Sequence, residues 1–470
     1  MPIPRTILVL GDGGREHALC WRLGAEPGVE RVIVGPGNAL MEDAAEVHPE
    51  LTETDIPGVM ALCRAERVDL VVVGPEAPLV GGLVDALGVA GVPAFGPGAA
   101  AARLEGSKAF TREICRAAGV PTARGASFTA IEPALAFAAT LSGRGCVVKA
   151  DGLAAGKGVT VCPDEASAEA ALREALVEGR FGVAGARVVV EERLTGSEAS
   201  LICICDATGA ALALPAARDH KRLLDGDRGP NTGGMGAISP LDDLDELVAA
   251  DLVRRIHLPV LAEMAGRGTP FRGALYAGLM LTAEGPRLLE FNVRLGDPET
   301  QVILPRLAVP LALLLAAAAA DRLTETATAL GVEGLLLPVA QEAAVGVVLA
   351  AAGYPGRPRR GEPIDGLDAA RAAGGLLFGA GVGWAGGGRS GPGGSSGQGG
   401  LVTAGGRIVT VVGRGASVAL AAEAAYGAAD QIDFGGLQRR SDVGRSSMGA
   451  HGLGSRGPGH RAGLAVEAST

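Results

Sequence analysis

The chain has 470 residues, 48% of them hydrophobic and 20% charged, which suits a globular protein of about three domains with a sizeable core. A formal net charge of −10 leaves no general excess of Lys and Arg to neutralise a phosphate backbone, so a nucleic-acid partner is not expected. Seven scattered cysteines form no CxxC pair, and the first apolar run is too short for a signal peptide; both point to reduced thiols and a cytoplasmic protein.

Over the first hundred residues the apolar runs "TILVL", "RVIVG", "DLVVVG" and "VPAFG" alternate with helical stretches. That is the pattern of βαβ units, and it predicts a Rossmann-like parallel-sheet domain over 1–104. The first strand runs into "LGDGGREHA", where the amides of Gly11, Gly13 and Gly14 and a helix N-terminus suit an anion. A dinucleotide site is disfavoured, because Glu16 stands where GxGxxG needs its third glycine. The end of the second strand, "VIVGPGN", also lacks an acid for ribose hydroxyls. A phosphate site for another ligand leads, with a plain tight turn as the alternative.

A second domain begins near 105 with the helix "SKAFTREICRAAGVPT", stopped by Gly-Val-Pro. From 146 the pattern changes to short strands and glycine turns, which reads as antiparallel: "CVVKADG", "GKGVTVC", "ARVVVEERL", "EASLICICDATGAALALPA". "KADGLAAGKGV" places a glycine-rich loop between Lys149 and Lys157. It is no Walker A loop, yet backbone amides and lysines of this kind can cover phosphates. An ordinary hairpin with solvated lysines is the plainer reading.

Glu191, Glu192 and Glu198 in "VVVEERLTGSEAS" follow a strand. Such a linker can offer main-chain groups to an adenine edge and a later acid to ribose hydroxyls; solvated acids are the plainer reading. "ARDHKRLLDGDRGPNTGGMGA", 217–237, is too long and irregular for a mere turn and reads as a functional loop. His220 within it reads as a positioned or solvated residue more readily than as a general base.

"GALYAGLMLTAEGPRLLEFN" predicts a hairpin with its turn near Glu284 and Gly285. Glu290, Asn292 and Arg294 then alternate, which puts them on one face of a strand. A carboxylate beside an amide oxygen suits Mg²⁺ shared with substrate phosphates, and an arginine nearby suits a transferring phosphoryl group. A solvent-facing strand end is the plainer alternative.

"PLALLLAAAAA" at 310–320 is short of the roughly 20 residues of a membrane span and reads as a buried helix. "AAVGVVLAAAGYPG" and "RIVTVVGRG" predict a small α+β domain over 329–444. It is interrupted by a Gly/Ser-rich flexible insertion at 385–400, and the tail 445–470 lacks periodicity and is expected to be disordered.

Lysine helix, lysine strand, glycine loop, acidic linker, charged loop and Glu-x-Asn follow one another in this order. So arranged, the chain resembles the ATP-grasp enzymes, and specifically the phosphoribosylamine–glycine ligase (glycinamide ribonucleotide synthetase) family of purine biosynthesis. The strings that carry the resemblance are "GDGGREHA", "VGPEAPLVGGLVD", "LEGSKAFT", "VVKADGLAAGKGV", "DHKRLLDGDRGPNTGGMGA", "EFNVRLGDPETQ", "GYPG", "VTAGGR" and "SDVG". They span about 1–384 and 401–444, and "RLGDPETQ" and "GPNTGGMGA" are the most specific.

The resemblance implies an ATP-grasp domain over 105–328, with a lid at about 122–192 and ATP between two antiparallel sheets. Lys108 and Lys149 would contact phosphates, and Gly152, Gly156, Lys157 and Gly158 would belong to the lid. Glu191, Glu192 and Leu194 would meet adenine through the backbone, and Glu198 the ribose. Glu290 and Asn292 would hold Mg²⁺, with Mn²⁺ as an alternative ion. "ALYAGLML" offers no further acid, so remaining metal ligands would be ATP oxygens or water.

The implied reaction joins glycine to 5-phosphoribosylamine through glycyl phosphate, with Arg294, Asp297 and Lys149 catalytic. Asp219, Lys221, Asn231, Gly233, Gly234 and Arg294 would meet glycine and ribose groups, and the Gly11, Gly13 and Gly14 turn the 5′-phosphate. A monomer is expected, with these small molecules as its partners.

Three features depart from the family pattern. "LFGAGVG" stands where a Phe-His-Ala-Gly-Thr-like stretch is usual, the insertion lengthens a region the family keeps short, and the tail has no counterpart. The competing readings are a related ligase for another amine, a nucleotide-binding protein without catalysis, and a dehydrogenase.

Overall fold

The computed structural model describes residues 1–141, 143–153, 158–387 and 400–445. Its N-terminal sheet is parallel, in the order Glu46–Val47, Arg31–Pro36, Thr6–Gly11, Leu70–Val73, Ala94–Phe95. Ile7, Leu8, Val9 and Leu10 on the central strand are all fully buried. Leu8 and Leu10 enter one core cluster while Ile7 and Val9 enter another, because helices cover both faces.

Two four-stranded antiparallel sheets follow. The first runs Gly125–Phe128, Val188–Glu192, Cys146–Ala150, Val159–Cys162. The helices Ile131–Ala139 and Glu165–Leu176 pack on it through their own small core, which includes Ala134, Leu172 and Val190. The second runs Ala211–Ala213, Ser197–Cys205, Gly273–Thr282, Gly285–Asn292. Residues 193–196 connect the two sheets, and the expected hairpin turns at 283–284, between paired Thr282 and Gly285.

The C-terminal sheet is antiparallel, in the order Arg218–Asp219, Gly236–Ser239, Ala343–Ala350, Arg407–Gly415, Leu376–Gly379. Helix Val418–Ala429 packs on it. Its first two strands come from the stretch read in sequence as an irregular loop, so 217–239 is stitched into the C-terminal sheet. A second short hairpin, Arg222–Leu224 with Arg228–Asn231, projects from it.

The fold is therefore α/β and α+β, with a Rossmann-like parallel domain, two antiparallel sheets and a small C-terminal α+β unit. The apolar helix Leu311–Ala319 is buried, and no helix among the described residues is long and apolar enough to cross a membrane. The 388–399 part of the insertion and the tail from 446 lie outside the described residues.

Candidate active site

Strand Gly285–Asn292 carries Phe291 into the core, where it meets the ring of His257 at 6.4 Å. By alternation Glu290 and Asn292 face the other way, toward the first antiparallel sheet. Burial pushes the Glu290 carboxyl up, but Lys221, Lys149, Lys108 and Arg294 outweigh it and hold its pKa below the ordinary value. Glu290 is thus a half-buried carboxylate kept ionised by nearby cations.

Each cation comes from a different element. Lys108 opens helix Lys108–Ala117, capped by Ser107, and its Nζ donates to the Gly152 carbonyl at 3.3 Å. Lys149 lies on the first sheet, where its Nζ stands 2.7 Å from Glu191 Oε2. The same Nζ donates to the carbonyl of Leu289, beside Glu290, at 3.0 Å. Glu191 also takes Arg112 Nη1 at 2.6 Å, and Glu192 accepts the Arg124 amide at 2.8 Å. Leu194 is half-buried in the connector between the sheets.

Lys221 pairs with Glu198 at 2.6 Å. Burial pushes the Asp219 carboxyl up; Lys221 opposes this, and Glu299, Glu198 and Glu290 add to it. His220, between them, faces Arg440, Asp227 and Asp442 instead, and burial depresses its pKa. Gly158 lies at the far edge of the glycine loop, its carbonyl accepting the Ala150 amide at 2.7 Å. Gly156 and Lys157 lie outside the described residues.

Arg294 lies just past strand Gly285–Asn292, beside Glu290 and Asn292. The strand ends at Asn292, and the Arg294 guanidinium sits 3.4 Å from Glu76 and 3.3 Å from Glu105, with a long contact of 3.4 Å to Asn292 Oδ1. Glu105 also accepts the Val293 amide at 2.8 Å, which fixes the chain as it leaves the strand. Asp297 is held by Arg407 from the C-terminal sheet, Nη2 to Oδ2 at 2.7 Å, and by Gln301 at 2.7 Å. Arg407 Nη1 further donates to the carbonyls of Gly233 and Asp297.

The loop amides expected to meet substrate are engaged internally. The Thr232 amide donates to the Lys221 carbonyl, the Gly233 amide to Tyr354 Oη at 2.8 Å and the Gly234 amide to Thr232 Oγ1 at 3.0 Å. Gly234 has φ +109°, and a Cβ there would fall 2.4 Å from Pro298 Cδ, so no larger residue fits. Asn231 is exposed at the end of its strand.

At the N-terminal turn, Glu16 Oε2 accepts the Gly13 amide at 2.9 Å and Oε1 meets Arg15 Nε at 2.5 Å. A Cβ on Gly11 would collide with the Glu16 side chain, 2.7 Å from its Cγ. The residue that broke the dinucleotide pattern therefore fills the turn from inside. The Gly14 and Arg15 amides remain as first-turn donors without an intrahelical acceptor. A Cβ on Gly13 would lie 3.3 Å from Asp297 Oδ2, so the turn adjoins the Asp297 cluster.

Oxygen donors kept charged, with an adjacent amide oxygen, fit a hard divalent ion that retains phosphate or water ligands. Among the described residues no group of three or more His, Cys, Asp or Glu could hold a metal. Two protein oxygens, from Glu290 and Asn292, would leave positions for such ligands.

Models of the phosphoribosylglycinamide synthetase family match in three parts: its N domain over 5–105, its ATP-grasp domain over 106–300 and its C domain over 344–446. A phosphoribosylamine–glycine ligase from Mesorhizobium japonicum is 45% identical over 439 residues, covering 93% of this chain and 97% of that protein. The chain belongs to the phosphoribosylamine–glycine ligase family. The Streptomyces coelicolor ligase is 46% identical, covering 94% of this chain and all of its own length. The Thermotoga maritima ligase crystal structure superposes with a TM-score of 0.77 at 31% identity, covering 93% of this chain and 99% of that one. Biotin carboxylase from Campylobacter jejuni, solved with an ATP analogue, shares the fold at a TM-score of 0.66 and 17% identity.

As a member of this ligase family the chain is an ATP-grasp enzyme, which uses ATP and a divalent metal. The residues that sequence reasoning left without a role (Glu76, Glu105, Arg407) lie in "VGPEAPLVGGLVD", "LEGSKAFT" and "VTAGGR". These strings carried the resemblance; what they lacked was a partner, because Glu76, Glu105 and Arg407 acquire meaning only against Arg294 and Asp297.

Proposed function

We propose that the enzyme joins glycine to 5-phosphoribosylamine at the cost of ATP, giving glycinamide ribonucleotide, ADP and phosphate in purine biosynthesis. The observation that carries this reading is the convergence of Lys108, Lys149 and Lys221 on Glu290, beside Asn292, in a chain of this family.

A glycine carboxylate oxygen attacks the γ-phosphorus; the bond from phosphorus to the β-phosphate oxygen breaks, and ADP leaves with the electron pair. The phosphoribosylamine nitrogen then attacks the carbonyl carbon of glycyl phosphate. The carbon–oxygen bond to phosphate breaks, inorganic phosphate leaves with that pair, and the nitrogen gives up a proton. Both steps need positioning and charge neutralisation rather than a covalent enzyme intermediate.

Glu290 and Asn292 would hold Mg²⁺, or Mn²⁺ in its place, and such an ion would supply charge neutralisation of the ATP phosphates. Lys108 and Lys149 contact phosphates. The backbone from Glu191 to Leu194, at the junction of the two sheets, meets adenine, and Glu198 the ribose. Arg294, fixed between Glu76 and Glu105, steadies the acyl phosphate. Asp219, Lys221 and Asp297 face the glycine and ribose groups, and the Gly14 and Arg15 amides are the donors left for the 5′-phosphate.

All seven cysteines are buried and free, which suits the reducing cytoplasm, and a monomer is the working unit we assign. The test is transfer of labelled glycine into a product retained by an anion exchanger. Retention that requires both ATP and phosphoribosylamine supports the reading. Label transferred only to another amine keeps the fold and moves the substrate.

A further inference from the structure

Cys146 and Cys162 stand directly opposite each other on the antiparallel strands Cys146–Ala150 and Val159–Cys162. Residues so paired have Cα atoms about 4.5 to 5.5 Å apart, inside the window that a disulfide spans without moving the backbone. Both side chains enter the same small core. A cavity of about 240 Å³ opens at Cys146, between Leu141, Gly145, Pro163 and Asp164, and gives a small oxidant a way in. Cys162 does not line it; its Sγ lies deeper, against the carbonyls of Thr160 and Ser167.

We propose that Cys146 and Cys162 form a redox-active dithiol, oxidised by hydrogen peroxide to an intrachain cross-strand disulfide. The Cys146 sulfur attacks one peroxide oxygen, the O–O bond breaks and hydroxide leaves, giving a sulfenic acid on Cys146. The Cys162 sulfur then attacks the Cys146 sulfur; the S–O bond breaks and water leaves as the S–S bond forms. Two thiols lose two electrons, and the peroxide is reduced to two waters.

The division of labour follows from the surroundings. The neighbouring thiol draws the Cys146 pKa below its ordinary value, while Cys146 and burial push Cys162 up. Cys20, Cys63, Cys115, Cys203 and Cys205 are all pushed up by burial, so Cys146 is the one thiol among the seven shifted toward easier ionisation. The disulfide would staple the edge strand to the strand from which Lys149 projects, without altering their register.

The experiment treats the folded full-length chain with a slight excess of hydrogen peroxide, alkylates free thiols on unfolding and maps peptides without reduction. The proposal expects a Cys146–Cys162 linked peptide roughly tenfold more abundant than any other cysteine oxidation product, lost again on adding dithiothreitol. In Cys162→Ser, Cys146 should instead accumulate as a sulfenic acid trapped by dimedone. Linkage to other cysteines, linkage between chains, or Cys146 remaining alkylatable at the rate of the other six would overturn it. Since the wild-type chain carries the primary readout, a variant that fails to fold does not rescue the proposal.

Discussion

Arg407 Nη2 lies 2.7 Å from Asp297 Oδ2, and this pair ties the C-terminal sheet to the loop that follows strand Gly285–Asn292. Burial pushes the Asp297 carboxyl up, but Arg407 and Arg15, with the Gln301 hydrogen bond, bring it below its ordinary value. Arg407→Met strips Asp297 of its main counter-charge while leaving it enclosed. Stability is expected to fall by about 2 kcal/mol, and kcat/KM by on the order of 100-fold. Arg407→Lys keeps the charge but loses the fork that reaches Gly233 and Asp297 together, so it should restore only part of the activity. Denaturant titration and steady-state kinetics read both.

Lys149 bridges Glu191 on its own sheet and the Leu289 carbonyl beside Glu290. Lys149→Met is therefore expected to raise the KM for ATP by roughly tenfold or more, and to leave Glu191 with Arg112 as its remaining partner. Glycine affinity, measured by the KM for glycine at saturating ATP, should change far less. Equal changes in both constants would place Lys149 elsewhere in the mechanism.

His257 is fully buried on the π-helical turn Val253–His257, and neither ring nitrogen has a hydrogen-bond partner among the described residues. Burial depresses its pKa to about 4; the nearby Leu201 and Leu275 carbonyls oppose this without closing hydrogen bonds. A histidine depressed on folding takes up its proton in the unfolded chain first. Its contribution is present above the unfolded value of about 6.5 and is lost progressively as pH falls toward 4. The drop in unfolding free energy across that window should include about 3 kcal/mol from this residue. His257→Met, of similar bulk and without a titratable ring, should flatten the drop by that amount in denaturant titrations at several pH values.

How much of this was readable in advance differs by element. The alternation that aims Glu290 and Asn292 away from Phe291 is a local property of a strand, and periodicity alone exposes it. Arg294 follows past the strand end at Asn292, and what periodicity could not show is that Glu76 and Glu105, distant in sequence, hold its guanidinium beside Asn292. The same limit applies to 217–239, whose short, glycine-broken strands have no visible pattern until Ala343–Ala350 supplies the edge they pair with. Glu16 could be seen as a break in a glycine motif, but not as the carboxylate that fills the turn. Gly379, in the stretch that departs from the expected pattern, is closed in this fold: a Cβ would lie 2.6 Å from that of Leu40, and its backbone is held by His17 and Asn38.

Arg440 anchors the projecting hairpin from the C-terminal end. It donates to Asp442 at 2.7 Å, to Asp227 at 2.6 Å and to the Arg222 carbonyl at 3.2 Å, with its side chain only 2% exposed. Asp442 in turn accepts the Gly226 amide at 2.8 Å. Arg440→Ala is expected to cost about 2 kcal/mol and to loosen the hairpin that leads to Asn231, raising the KM for phosphoribosylamine more than that for ATP. Faster amide hydrogen exchange confined to 222–231 would confirm the route.

The central claim is that Glu290, charged and ringed by lysines, is where phosphoryl transfer to glycine is organised. The direct measurement is phosphate release from Mg-ATP by the wild-type enzyme and Glu290→Gln, with glycine and freshly generated phosphoribosylamine added singly and together. Sustained release that needs both substrates in the wild type, and falls by on the order of 1,000-fold in Glu290→Gln, is the expected result. Release that proceeds undiminished in Glu290→Gln, or that requires neither substrate, would contradict it.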